Sequence, residues 1–216
     1  FELAREYSAW PPSVLYGQTG LTGDVNGDGH LDVVAGACMR EGERLGFTLR
    51  FGDGRGELGQ PVFFEIPSND ICGVPLAVED FDGDGLADLL ALYRSGGDTV
   101  GLWLSRGDGQ FTETWSQKVH FQDWLTADVD GDGFRDAIGV IIGDTQNGSG
   151  SSVVLLRNAG HGTFDSSVLI EEALLAGGNA ETIARGDFDQ DGQDDLALTW
   201  RRARYELRIY LTVDGV

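Results

Sequence analysis

The sequence predicts an all-β fold, a β-propeller built from four four-stranded antiparallel blades, and two observations lead to this class. A nine-residue acidic segment recurs four times, at 24–32, 80–88, 128–136 and 187–195, with spacings of 56, 48 and 59 residues. About four short apolar runs of strand length, separated by glycine turns, fill each period. A repeat made of four serial strands is typical of a propeller blade.

Composition and charge exclude several classes of protein. The chain has 216 residues, of which 41% are hydrophobic and 24% are charged, so it is not disordered. Its 36 acidic residues against 15 Lys plus Arg give a formal charge of −21, which would repel a phosphate backbone or an anionic membrane surface. No apolar run approaches the roughly 20 residues that span a bilayer. We therefore expect that the chain neither binds nucleic acid nor inserts into a membrane.

Each period repeats one order of elements. An apolar stretch such as VPLAVE precedes the acidic segment, and a β-rich run such as LADLLALY follows it. Another run then leads into a glycine turn, for example SRGDGQF or NAGHGTF, and a further strand follows the turn. The predicted blades are 18–66, 74–116, 122–170 and 181–216, all within one propeller domain that covers 1–216.

The fourth period lacks an outer strand. Read head to tail, Asp214, Gly215 and Val216 followed by Phe1 spell the D-G-x-F turn that precedes the fourth strand in the second and third periods. We expect residues 1–7 to supply that strand, so that the N- and C-terminal strands close a four-bladed ring. Two alternatives stay open: a slice of a larger propeller, and self-assembly through exchange of this terminal strand, which would make the chain the repeating unit of an extracellular fibre.

The acidic segment has the spacing of a calcium-binding loop. Oxygen-bearing side chains stand at positions 1, 3, 5 and 9, the backbone carbonyl of position 7 adds another oxygen, and a glycine at position 6 permits the sharp bend. The expected ligands are Asp24, Asn26, Asp28, His30 and Asp32; Asp80, Asp82, Asp84, Leu86 and Asp88; Asp128, Asp130, Asp132, Phe134 and Asp136; and Asp187, Asp189, Asp191, Gln193 and Asp195. We expect four Ca²⁺ ions. The alternative is an acidic turn that binds nothing, in which like charges would repel one another.

These D-x-[DN]-x-D-G-x-x-D loops, each followed by a strand and then by a glycine turn, resemble FG-GAP or VCBS repeats. Such repeats form the blades of integrin α-subunit propellers and of many secreted proteins, and the resemblance covers essentially the whole chain. It implies that the loop joins the first and second strands of a blade and holds calcium. Asn26 in place of Asp and Gln190 in place of Gly depart from the pattern. Family members include adhesion receptors, lectins and non-catalytic parts of polysaccharide-degrading enzymes, so the fold leaves the function open.

We expect a secreted, extracellular module that binds or scaffolds and does not catalyse, with a glycan or a protein as its ligand. His30, His120 and His161 have no spacing that would gather them on a catalytic metal. A carbohydrate-active enzyme, either a polysaccharide lyase or a hydrolase, or a fragment of one, stays the alternative because carboxylates are plentiful.

Aromatic residues indicate a candidate ligand site on the face opposite the calcium loops. The residues are Trp10, Tyr16, Trp115, His120 and Trp124 and, near the other hairpin, Trp200. We expect connecting loops to present these rings, which suit stacking on sugars. The alternative is that the rings fill the gaps between blades.

The two cysteines, Cys38 and Cys72, are expected to form a disulfide. An even number of cysteines in a chain bound for an oxidising compartment favours pairing over two buried thiols.

Overall fold

The structure is a computed structural model, and it describes residues 20–39, 44–66, 73–95, 97–119, 121–142, 151–170, 179–201 and 204–212. Every regular element within these ranges is a β-strand, and the strands form four antiparallel sheets. The predicted all-β, propeller-like class is therefore confirmed. The described ranges contain no helix with the length and apolar character needed to cross a membrane.

Consecutive strands are neighbours in every sheet. The first sheet comprises β1 (Gly20–Gly23), β2 (Asp32–Met39), β3 (Arg44–Arg50) and β4 (Val62–Glu65). The second comprises β5 (Val74–Glu79), β6 (Asp88–Arg94), β7 (Asp98–Ser105) and β8 (Phe111–Lys118). The third comprises β9 (Phe121–Ala127), β10 (Asp136–Ile142), β11 (Ser151–Asn158) and β12 (Phe164–Ile170). The fourth comprises β13 (Asn179–Gly186), β14 (Asp195–Arg201) and β15 (Tyr205–Tyr210).

The second and fourth strands of the second sheet differ in how much of their length is buried. β6 reads DLLALYR and is buried along most of its length, because both of its faces are covered. β8 reads FTETWSQK and exposes most of its residues. In β5 the pairing register shifts between Pro75 and Ala77, where the proline has no N–H to give to the ladder.

The chain divides into two compact units. The first contains Phe1–Asp80 and Asp84–Lys118, and its core joins the facing surfaces of the first and second sheets. Phe47 from β3 meets Trp103 from β7 edge to face, with ring centroids 6.4 Å apart, and Leu89 from β6 is fully buried beside them. These large apolar side chains hold the two sheets against each other.

The second unit contains Phe81–Gly83 and Val119–Val216. Its core lies between the third and fourth sheets, where Ile138 from β10 shares an apolar cluster with Leu198 and Trp200 from β14. All three side chains are at most 1% exposed. Each unit therefore pairs two sheets around its own core.

β15 differs from β7, the corresponding strand of the second sheet, in its exposure. Tyr205, Leu207 and Ile209 alternate along β15, so they lie on one face of the strand, and they are 71%, 67% and 50% exposed. At the positions of β7 that correspond to Leu207 and Ile209 in register, Val100 and Leu102 are fully buried. Within the described ranges β15 pairs with β14 on one side and leaves its other edge open.

Several predictions fall outside the described ranges. The closing strand at residues 1–7, Cys72 and the side chain of Cys38 belong to this group. Ring closure and the disulfide therefore stay predictions. The blade limits and the assignment of 1–216 to one domain stay predictions as well.

Candidate metal centres

The acidic segments join the first and second strands of each sheet, as the family resemblance implies. We call them loop one (24–32), loop two (80–88), loop three (128–136) and loop four (187–195). The glycine at position 6 has a left-handed backbone in every loop, with φ between 83° and 94°. A side chain would be strained there, which explains why the bend requires glycine.

Carboxylates from positions 1, 3 and 9 converge in loops two, three and four. One carboxylate oxygen from each of three residues lies within 4.8 Å of the others in these sets: Asp80, Asp82 and Asp88; Asp128, Asp130 and Asp136; Asp187, Asp189 and Asp195. Two oxygens on opposite sides of a calcium ion stand about 4.6–5.2 Å apart, given Ca–O bonds of about 2.3–2.6 Å. The spacing and the all-oxygen donors therefore fit one hard cation in each of these loops.

Loop one differs because its position 3 is an amide. Asn26 Oδ1 accepts the backbone N–H of Asp28 at 3.0 Å, and Asn26 Nδ2 donates to Asp28 Oδ2 at 3.0 Å. Loop one therefore offers an ion one negative charge less than the loops with Asp at position 3.

The carboxylate at position 1 organises the backbone of its loop. Asp24 Oδ1 accepts the N–H of Gly27 and Asp24 Oδ2 accepts that of Gly29, both at 2.7 Å. Asp128 Oδ1 accepts the N–H of Gly131 in the same way at 2.8 Å. These bonds shape the loop. Asp24 Oδ1 accepts a second backbone N–H at 3.1 Å, whereas Asp24 Oδ2 and Asp128 Oδ1 each keep a second lone pair for an ion.

Position 5 stands outside the three clusters. Asp132 Oδ1 accepts the N–H of Phe134 at 2.8 Å, and Asp28 Oδ1 accepts that of His30 at 2.9 Å. The bond from His30 lowers the pKa of the exposed Asp28 carboxyl. The ligand roles of position 5 and of the position 7 carbonyls stay predictions.

The carboxylate at position 9 has a second role, which the spacing of the motif does not reveal. These carboxylates, Asp32, Asp88, Asp136 and Asp195, are fully buried. Asp136 Oδ2 accepts the N–H of Val129 at 3.1 Å, and Asp136 Oδ1 accepts the N–H of Asn158 at 2.8 Å. The other position 9 carboxylates accept equivalent backbone N–H groups. Asp32 accepts those of Val25 at 3.0 Å and Gly52 at 2.9 Å. Asp195 accepts those of Phe188 and Thr212, both at 2.8 Å, and Asp88 Oδ1 accepts that of Ser105 at 2.8 Å. We call this arrangement the position 9 brace, because it ties the loop to the residue at or just beyond the end of the third strand.

Burial makes the ionised form of the position 9 carboxylate unfavourable when no cation is near. Burial raises the pKa of Asp136 to about 6, the N–H bonds from Asn158 and Val129 oppose the shift, and the nearby Asp130 and Asp132 charges add to it. Burial likewise raises the pKa of Asp32. A bound cation would favour the ionised form, so these buried groups suit a metal.

Neighbouring loops are joined within each unit. In the first unit, the N–H of Ala87 donates to the Asp24 carbonyl at 2.7 Å. In the second unit, Asp194 Oδ2 lies 2.7 Å from Arg135 Nη1 and 3.3 Å from Arg185 Nη1. These contacts fix the loops of one unit against each other.

The structure changes the interpretation of the aromatic residues. The sequence predicts Trp115 and Trp124 in connecting loops, but Trp115 lies within β8 and Trp124 within β9, and both are half-buried. The prediction for Trp200 is wrong, because its ring is 1% exposed in the core of the second unit and has no free face for a sugar. The remaining candidates, Trp10, Tyr16 and His120, lie outside the described ranges.

Comparison with protein families identifies the same repeated loops. The profile of the FG-GAP-like repeat matches residues 24–91, 80–138 and 128–198, and every match begins at position 1 of an acidic loop. The chain belongs to the FG-GAP-like repeat family. The FG-GAP-like matches together span all four loops, since the third ends beyond position 9 of loop four. A comparison with curated proteins finds no match.

Membership of the FG-GAP-like repeat family supports three general statements. FG-GAP repeats often bind Ca²⁺, their propeller domains are generally non-catalytic, and they are typical of extracellular domains. The convergent carboxylates of loops two to four agree with the first statement.

Proposed function

We propose that this chain is a secreted β-propeller module, stabilised by calcium, which binds a glycan or a protein or serves as a structural unit without catalysing a reaction. The observation that carries the proposal is the convergence of three carboxylate oxygens in each of loops two, three and four. Loop one would hold a fourth ion through its similar ligand set. Four Ca²⁺ ions would reduce the formal charge from −21 to −13.

The ion would act on the stability of the fold through the residues that hold it. In loop three, Asp128, Asp130 and Asp136 would bind it, and the bond from Asn158 to Asp136 would pass the constraint on to the end of β11. Calcium supplies positive charge that offsets repulsion among the carboxylates. An ion that binds only the folded chain stabilises it by about 2.7 kcal/mol per site at a hundredfold excess over Kd.

Chelation tests this proposal. The native protein is analysed for bound metal, and its thermal unfolding is followed by circular dichroism in calcium and in excess EDTA. We expect bound calcium and a melting temperature that falls by many degrees in EDTA and recovers when Ca²⁺ is restored. Metal-free native protein with the same melting curve in both buffers would refute the proposal. Magnesium at the same concentration is the control for ionic strength.

The ligand is tested separately. Among the described residues, Trp115 and Trp124 are the candidates for contact with a sugar, since both are only half-buried. A glycan array probed in calcium, followed by Trp115→Ala and Trp124→Ala, tests whether these rings contact sugar, with Trp200→Phe as a buried control. Binding without product formation supports a binding module, whereas cleavage of an acidic polysaccharide would show an enzyme instead.

A further inference from the structure

Loop three has a cationic neighbour at its position 3 carboxylate. Arg157, near the end of β11, places Nε 3.3 Å from Asp130 Oδ2, and the two side chains are 34% and 18% exposed. Arg157 Nε is buried, and the contact lacks the geometry of a hydrogen bond. The interaction is therefore chiefly one of charge, in a partly desolvated place where charge acts strongly.

The neighbouring repeats have apolar residues where β11 has Arg157. The position is defined by the brace, since it directly precedes the residue whose N–H binds the position 9 carboxylate. The residues at this position in the four repeats are Phe51, Leu104, Arg157 and Leu211. A positive charge at this position is thus particular to the third repeat, and the pattern shared by the repeats does not account for it.

Arg157 approaches the oxygen of Asp130 that the loop leaves available. Asp130 Oδ1 accepts the N–H of Asp132 at 3.3 Å, as Asp189 Oδ1 accepts that of Asp191 at 3.2 Å in loop four. Asp130 Oδ2 then faces the guanidinium. An ion bound by this carboxylate would have a like charge about 5 Å away, which at the dielectric of water weakens binding roughly tenfold.

We propose that Arg157 is an internal counter-ion of loop three, which keeps this loop ordered without a metal and makes it a weaker calcium site than loop four, whose ligand set carries the same charge. The inference rests on the proposed function, because it concerns the relative affinity of calcium sites. Arg135 and Arg185 differ from Arg157, since they converge on Asp194, which stands at position 8 and belongs to no ligand set.

Calcium titration of the whole chain by isothermal calorimetry tests the proposal. The variant Arg157→Leu introduces the residue that the second and fourth repeats carry, and Arg157→Lys keeps the charge. Arg94→Leu is the matched control, because Arg94 pairs with Asp98 at the β6–β7 hairpin, away from the loops. We expect loop three to bind calcium more weakly than loop four in the native protein. Arg157→Leu should tighten the loop three site about tenfold, whereas Arg157→Lys and Arg94→Leu should leave it unchanged.

A second measurement assigns the change in affinity to loop three. In ¹⁵N spectra, the Gly133 amide should shift later in the titration than the Gly192 amide, and Arg157→Leu should bring its midpoint close to that of Gly192. If Arg157→Leu unfolds, Arg157→Gln replaces it in both experiments. Calcium affinities that are the same in Arg157→Leu as in the native protein, or a Gly133 midpoint that does not move, would overturn the inference. The absence of bound ions in every variant would instead refute the proposed function.

Discussion

The position 9 brace predicts that Asp136 stabilises the fold even when no metal is present. Asp136→Ala removes the acceptor of two buried N–H groups, those of Val129 and Asn158. A buried donor left without a partner costs about 1–3 kcal/mol. Removing the buried charge recovers part of this loss, so we expect a net destabilisation of about 2–4 kcal/mol in excess EDTA.

Asp132→Ala is the matched control, because it removes a carboxylate from the same loop and the same proposed ion. Asp132 Oδ1 accepts one N–H, from Phe134, at an exposed turn. Its loss should cost about 0.5–1 kcal/mol in EDTA, since water can replace the acceptor. Asp136→Asn keeps one acceptor oxygen and should fall between the two.

Urea unfolding followed by tryptophan fluorescence, in EDTA and in millimolar calcium, measures these differences. If Asp136 acts only as a ligand, Asp136→Ala and Asp132→Ala should have equal unfolding free energies in EDTA, and that result would refute the brace. In calcium both variants should lose additional stability relative to the native protein, because both remove a proposed ligand.

Gln190 has φ = 65° at position 4, where the other loops have glycine, so Gln190→Gly should raise the free energy of unfolding by about 0.5–1 kcal/mol; a lower urea midpoint would contradict this. In EDTA, Asp136 binds its proton more tightly in the folded state, so its contribution is greatest below about pH 4 and is lost as the pH rises through about 6. Unfolding of the native protein at pH 4.5 and pH 7, compared with Asp136→Asn, checks the sign of this change. Thiol titration under denaturing, non-reducing conditions should detect no free thiol from Cys38 and Cys72, and two free thiols would show that they are not paired.

The acidic loops could be predicted from the sequence because their ligands are local. Positions 1 to 9 lie on one short segment, so the order of Asp and Gly residues is enough to define how the carboxylates can meet. The strands on either side follow from apolar runs bounded by turns. Asp80, Asp82 and Asp88 accordingly converge as the spacing suggests.

The brace could not be predicted in the same way. Each partner at the third strand donates a backbone N–H, so the brace places no requirement on the partner's side chain. The partners are accordingly of four different residue types: Gly52, Ser105, Asn158 and Thr212. Trp200 shows a related limit. Alternation in β14 puts Leu196, Leu198 and Trp200 on one face, but only the packing of the fourth sheet on the third shows that this face is buried.

The brace has a consequence for how such a chain grows and diverges. Its described partners lie seven residues before the aspartate and 17 to 22 residues after it, so each repeat contains the whole of its own brace. A duplicated repeat would therefore arrive with its internal support already complete. The separation between the aspartate and its partner at the third strand varies from 17 to 22 residues, and the second strand, the third strand and their connection make up this length. Insertions can therefore accumulate in the connection while the loop and the strand end stay joined.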